Sequence, residues 1–281
     1  MSTRAHIRDG GPHLAIATIC FDGFGDENFE PTFARAHEVG VTEIEFNAWY
    51  PRTLTPEGLD SVLDRCARAG LHPATLQVSP IAPGPESADL TREVSRWLWL
   101  MTAAQQLGVT MIKATGSGRD TRGGLAGVID LMREIVPIAA ERGLVIAAEN
   151  HFGNVLEHPR DYDELFAAVD SPALGMCLDT GHFVASGHDP AALAERYARK
   201  LIHLDLKDCA APDGRNANFV RFGEGIVDFD ETLSTAIEGG YTGYLVIELP
   251  LIDRSTMAAD LRAGAELATR HLPSHHTLNR K

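Results

Sequence analysis

Apolar runs of six or seven residues alternate along the chain with longer segments in which apolar positions recur every three or four residues. The first pattern is that of strands buried on both faces, the second that of helices burying one face. Eight strand-like runs are present: "LAIATIC" (14–20), "TEIEFN" (42–47), "HPATLQV" (72–78), "TMIKAT" (110–115), "LVIAAEN" (144–150), "ALGMCLD" (173–179), "LIHLDLK" (201–207) and "YLVIEL" (244–249). Between them, "ADLTREVSRWLWLMTAAQQLG" (88–108) repeats Trp97, Leu100, Met101 and Ala104 at helical spacing, and "GVIDLMREIVPIAAERG" (127–143) closes on Gly143. Gly108 closes the first of these in the same way and Gly70 stops a further helix, because glycine enters the left-handed conformation of a C-cap at little cost. Asp189 followed by Pro190 reads as an N-cap with proline in the first turn.

Strands alternating with helices predict a parallel sheet, and eight such units predict its closure into a single (β/α)8 TIM barrel spanning 1–281, with 1–13 and 271–281 as flexible tails. A doubly wound open sheet is the competing arrangement. It would be expected to carry a glycine-rich phosphate loop after the first strand, which "FDGFGDENF" (21–29) does not supply.

Composition narrows the partners. The net charge of −14, with lysine and arginine scattered, argues against a nucleic-acid or anionic membrane surface. Four cysteines (Cys20, Cys66, Cys177, Cys209) lie far apart without a CxxC pair, and no apolar run approaches the roughly 18–20 residues of a spanning helix. The expectation is a soluble protein of the reducing cytoplasm.

Against this background "HLDLKD" (203–208) stands out, since a buried strand seldom carries so much charge. Alternation puts His203, Asp205 and Lys207 on one face, which must look into the barrel because helices cover the other. The neighbouring strands end alike, in Glu149-Asn150-His151, Asp179-Thr180-Gly181-His182 and Glu248-Leu249-Pro250. Catalytic groups of such barrels gather at these carboxyl ends. Four converging carboxylates, each costly to bury alone, call for a cation, and Glu149, Asp179, Asp205 and Glu248 are the candidate ligands. Lys207 and His182 serve either as charge partners or in catalysis.

The stretches "LVIAAENH", "GMCLDTGHF", "LIHLDLKD", "FGEGIVDF" (222–229) and "YLVIELP" together resemble the sugar phosphate isomerase/epimerase-like family, the xylose isomerase-like or AP endonuclease 2-like TIM barrels. The resemblance implies one divalent metal held by Glu149, Asp179, Glu248 and the residue at 205. Relatives commonly place a histidine there, within H-x-H-x-K-D. With Asp205 the ligand set is all oxygen, which favours Mn²⁺ or Mg²⁺ over Zn²⁺. The activity implied is isomerisation or epimerisation of a sugar or sugar-like hydroxy-ketone through a metal-stabilised enediolate, with Glu149 and Glu248 as proton carriers and His182 on the substrate oxygens.

The resemblance also implies an alternative. Dehydroshikimate-dehydratase-like relatives, and lyases acting on 3-keto-glycosides, eliminate instead, using a histidine two residues past the first ligand and a lysine two past the third. Here these are His151 and Lys207. The loop 222–229 would cover the substrate, with Glu224 shaping the pocket and Arg215 and Arg221 either gripping an anionic group or solvated. The late position of Arg215 after "CAAPDG" counts against ketohexose 3-epimerase specificity. DNA-repair chemistry, also found in the superfamily, lacks its extra histidines and basic surface here. Phe21, Phe24, Trp49 and Tyr50 would either pack or stack on a sugar ring. The expected partner is a small carbohydrate or polyol, and a homo-oligomer is compatible with the sequence.

Overall fold

The computed structural model describes residues 11–25, 28–84, 86–249 and 253–272. Eight parallel strands close into a barrel: β1 (His13–Ala17), β2 (Glu43–Ala48), β3 (His72–Val78), β4 (Met111–Thr115), β5 (Val145–Glu149), β6 (Leu174–Asp179), β7 (Leu201–Leu206) and, after a two-stranded antiparallel hairpin of β8 (Asp208–Cys209) and β9 (Phe219–Val220), β10 (Tyr244–Ile247). Each barrel strand pairs with its predecessor, and β10 returns to β1 through His13↔Tyr244 to Ile16↔Ile247. The single (β/α)8 barrel expected from the alternation is therefore the fold. Of the two expected tails, His13 opens β1 and His271 bonds Asp230 at 2.8 Å, while residues 1–10 and 273–281 lie outside the described residues.

The helical stretches fall where periodicity placed them. The helix Ser87–Leu107 buries Trp97, Leu100, Met101 and Ala104 against the barrel and ends at Gly108 with φ of 74°. Asp189 caps the helix Pro190–Arg196 by accepting the Ala191 N–H. Two departures have local causes. The first apolar run leaves the sheet at Thr18, where Asn47 Oδ1 accepts both the Thr18 hydroxyl and the Ile19 N–H and turns the chain into the short helix Ile19–Asp22. The hairpin arises because the Asp208 carboxylate gathers the backbone N–H groups of Cys209, Gly223 and Gly225. A Cβ at position 225 would run into that carboxylate, so the second glycine of "FGEG" is required for close approach.

Among the described residues, Cys20, Cys66, Cys177 and Cys209 are buried thiols outside any disulfide, and no helix is long and apolar enough to cross a membrane.

Candidate active site

Inward alternation along the strands stacks two layers of charge in the barrel. The deeper layer is built by β2, β4 and β7. Lys113, from the middle of β4, is wholly buried, with its ammonium 2.7 Å from Glu45 Oε1, 2.6 Å from Asp205 Oδ2 and 2.8 Å from Glu248 Oε2. His203 Nε2 lies 3.0 Å from Asp205 Oδ1 and 3.2 Å from Glu45 Oε2, and the Thr75 hydroxyl donates to Glu45 at 2.7 Å. Burial works against the charges of Lys113, His203 and Asp205, but mutual pairing prevails. Asp205, Glu149, Glu248 and Glu45 hold the Lys113 ammonium well above its usual range. Burial opposes charge on His203 as well, yet Asp205 and Glu45 raise it to about 9. Lys113 and His203 push the Asp205 carboxyl far below its ordinary value.

The upper layer faces the mouth. One oxygen from each of Glu149, Asp179 and Glu248 lies within 4.8 Å of the others. Lys207 Nζ sits 2.8 Å from both Asp179 Oδ2 and Glu248 Oε1, and Gln77 Nε2 donates to Glu149 Oε2 at 2.9 Å. The backbone fixes these positions. Asp179 caps the helix Thr180–Ala185 through the His182 N–H, and the Asn150 side chain clasps the Asp179 backbone from both sides, at 2.7 and 3.0 Å. Gly181 leaves the room through which the Lys207 side chain passes; a Cβ there would lie 2.9 Å from Lys207 Cγ. Burial pushes the Glu149 carboxyl well up despite Lys113, and Asp179 up to about 7 despite Lys207. Glu248 is held low, because Lys113 and Lys207 outweigh its burial.

Two histidines complete the mouth. The rings of His151 and His182 pack at 32° to one another with centroids 3.8 Å apart, and Phe219 and His182 meet T-shaped with centroids 4.8 Å apart. A single residue, Phe152, sets both tautomers. Its carbonyl, which can only accept, lies 2.9 Å from His151 Nδ1, so that nitrogen carries the proton and Nε2 keeps its lone pair. Its N–H donates to His182 Nδ1 at 3.1 Å, leaving His182 Nε2 as the protonated donor. Burial lowers the basicity of both rings, further for His182.

Of the residues singled out from sequence, Glu149, Asp179, Glu248, His151, His182 and Lys207 converge at this mouth. Asp205 belongs to the layer below. Arg221 is engaged by Asp260 at 3.2 Å and by Thr256, Glu224 is exposed and 3.9 Å from Arg221, and Arg215 is exposed. Phe21 is core, whereas Phe24 is exposed beside Trp49 with ring centroids 5.7 Å apart, and Tyr50 Oη donates to the Phe24 carbonyl. The sequence reading passed over Glu45, Gln77 and Lys113, although each is a polar residue on the inward alternation of an apolar strand.

The upper donor set suits a small hard dication. Its three carboxylates are pure oxygen donors, and 4.8 Å is a span that one ion closes with little movement, since such ligands sit about 2.0–2.2 Å from it. The charge balance agrees: among the described residues, the five carboxylates Glu45, Glu149, Asp179, Asp205 and Glu248 face three cationic side chains, Lys113, Lys207 and His203.

A closed parallel barrel with carboxylates and histidines at its carboxyl mouth defines a class of barrel enzymes, and the comparison with known proteins agrees. The chain belongs to the xylose isomerase-like TIM barrel family, which it matches over residues 33–271. It is 26% identical to an inosose dehydratase of Clostridium beijerinckii over 133 residues, covering 42% of this chain and 45% of that protein. The matched segment is thus less than half of the relative's length. In fold it is similar to a D-psicose 3-epimerase of Clostridium cellulolyticum H10 solved with D-tagatose (TM-score 0.77, 15% identity, 92% of this chain and 99% of that one). It is similar as well to an IolI protein with a bound zinc atom (TM-score 0.73, 18% identity, 94% and 99%). At these identities the structural likenesses establish the fold.

Proposed function

We propose that the protein is a divalent-metal-dependent dehydratase acting on a small polyhydroxylated ketone, removing the proton beside the carbonyl and expelling a β-hydroxyl as water. Glu149, Asp179 and Glu248 would hold the ion, and polarisation of the substrate carbonyl is the chemistry it supplies there. The all-oxygen set suits Mn²⁺ or Mg²⁺, and the zinc in the IolI relative keeps Zn²⁺ among the ions to be tried.

The observation that carries this reading is the unequal state of the proton carriers. Glu248 is tied at 2.8 Å to two ammonium groups, which makes it a weak base. His151 offers a bare Nε2 at the mouth. In the proposed step His151 Nε2 takes the proton on carbon. The released electron pair forms the C=C bond, the β C–O bond breaks, and the same imidazole returns its proton to the departing hydroxyl. Its lowered basicity favours that return. Lys207 stays charged, since Asp179 and Glu248 more than offset its burial, and it steadies negative charge on the substrate oxygen. His182 Nε2–H orients a second oxygen. The inosose dehydratase relatives support the same direction.

A second reading, isomerisation or epimerisation, is favoured by Glu149, whose raised carboxyl makes it a competent proton carrier. The two separate in one experiment. Metal-stripped protein reloaded with Mn²⁺ is incubated in D2O with keto-inositols, 3-dehydroshikimate and ketoses. The dehydratase yields a conjugated, ultraviolet-absorbing product with loss of one water. Deuterium incorporation or an epimer without water loss would replace it by the second reading, and inertness toward all three classes would reject both.

A further inference from the structure

Among the described residues the interior contains not one all-carboxylate group able to share an ion but two, and they have Glu248 in common. Oxygens of Glu149, Asp179 and Glu248 form the upper set, and oxygens of Glu45, Asp205 and Glu248 form a second, deeper set that is equally compact, within 4.8 Å. The three residues of the deeper set are also the ones nearest the Lys113 ammonium, at 2.6 to 2.8 Å, with Glu149 of the upper set farther off at 3.9 Å. Asp205 Oδ2 and Glu248 Oε2 accept hydrogen bonds from the ammonium, and Glu45 Oε1 is held by charge alone.

We propose that Lys113 is a resident cation filling what would otherwise be a second divalent-metal position, so that Asp205 is its counter-ion and a single metal ion is confined to Glu149, Asp179 and Glu248. The proposal rests on the metal-dependent reading above and adds to it the number of ions and the role of Asp205. Both Asp205 oxygens are already spent. Oδ2 receives Lys113 at 2.6 Å and the Cys177 thiol at 3.1 Å, and Oδ1 faces His203 at 3.0 Å. A dication reaching Asp205 would displace a fully buried ammonium that has no other place for its charge. The geometry follows from barrel closure, which sets β4 across from β7 so that a long side chain from one wall meets a short carboxylate on the other.

The test is Mn²⁺ stoichiometry and affinity by titration calorimetry, with metal content counted after gel filtration. Wild type binds one ion. Asp205→Asn keeps that ion within about threefold in affinity, whereas Asp179→Asn weakens it at least a hundredfold. Lys113→Ala, refolded in Mn²⁺ if it needs metal to fold, binds two ions, and Lys113→Ala with Asp205→Asn returns to one. Equal losses in Asp205→Asn and Asp179→Asn would overturn the proposal, as would a folded Lys113→Ala that binds the same number of ions as wild type. Wild type binding no ion would sink the metal-dependent reading alone; Lys113→Ala gaining one would still support the resident cation.

Discussion

The two charged layers of the barrel hold similar residues to opposite ends. In the deeper layer Glu45, Asp205, His203 and Lys113 are completely buried and paired in charge, although His203 Nδ1 has no hydrogen-bond partner among the described residues. In the upper layer Lys207 pairs with Asp179 and Glu248, Glu149 lies 3.9 Å from Lys113 and accepts from the neutral Gln77 amide, and Asp179 accepts the His182 backbone N–H. Charge that is fully compensated within the protein fixes a shape. Charge left under-compensated at a mouth is a demand that a ligand answers.

Substitutions in the two layers should therefore differ in kind. The largest effect is expected in the upper layer: Glu149→Gln should abolish turnover, and His151→Gln should lower kcat by about a hundredfold or more, both with unchanged circular dichroism. Lys113→Met attacks the deeper layer by leaving Glu45, Asp205 and Glu248 without their shared cation. It should cost about 3–5 kcal/mol, read as a lowered urea midpoint in chelator. A wild-type midpoint would show that the deeper layer does not depend on its lysine. Asp208→Ala acts on the loop at the mouth rather than on either layer. Without the carboxylate that collects the Gly223 and Gly225 N–H groups, hydrogen exchange at those amides should quicken and KM should rise about tenfold at nearly constant kcat. Arg215→Gln, at an exposed position, should change stability by less than about 0.5 kcal/mol and turnover by less than about twofold. A larger effect there would return Arg215 to the substrate-gripping role suggested by the sequence.

The same comparison explains what could be read from the sequence. The upper layer was legible because its carboxylates end apolar runs, and the end of a barrel strand has a fixed meaning. Asp205 was placed with them by its position on β7, and indeed it is the register partner of Asp179. Register, however, aligns backbones and leaves open which way a side chain's charge is satisfied. That depends on Lys113, 92 residues away, brought within 2.6 Å by closure of the barrel. The clue was present, since a lysine inside "TMIKAT" breaks an apolar strand as plainly as the charges of "HLDLKD" do, and Glu45 in "TEIEFN" does the same. The helices and most strand limits followed from periodicity. The end of β1 and the β8–β9 hairpin did not, because both are set by a single polar side chain, Asn47 or Asp208, capturing backbone N–H groups from elsewhere in the chain.

The most direct measurement is anomalous diffraction from a crystal soaked in Mn²⁺. One peak is expected, with oxygens of Glu149, Asp179 and Glu248 at about 2.2 Å and Lys113 still seated on Asp205. A peak ligated by Asp205, or none in that mouth, would contradict the account.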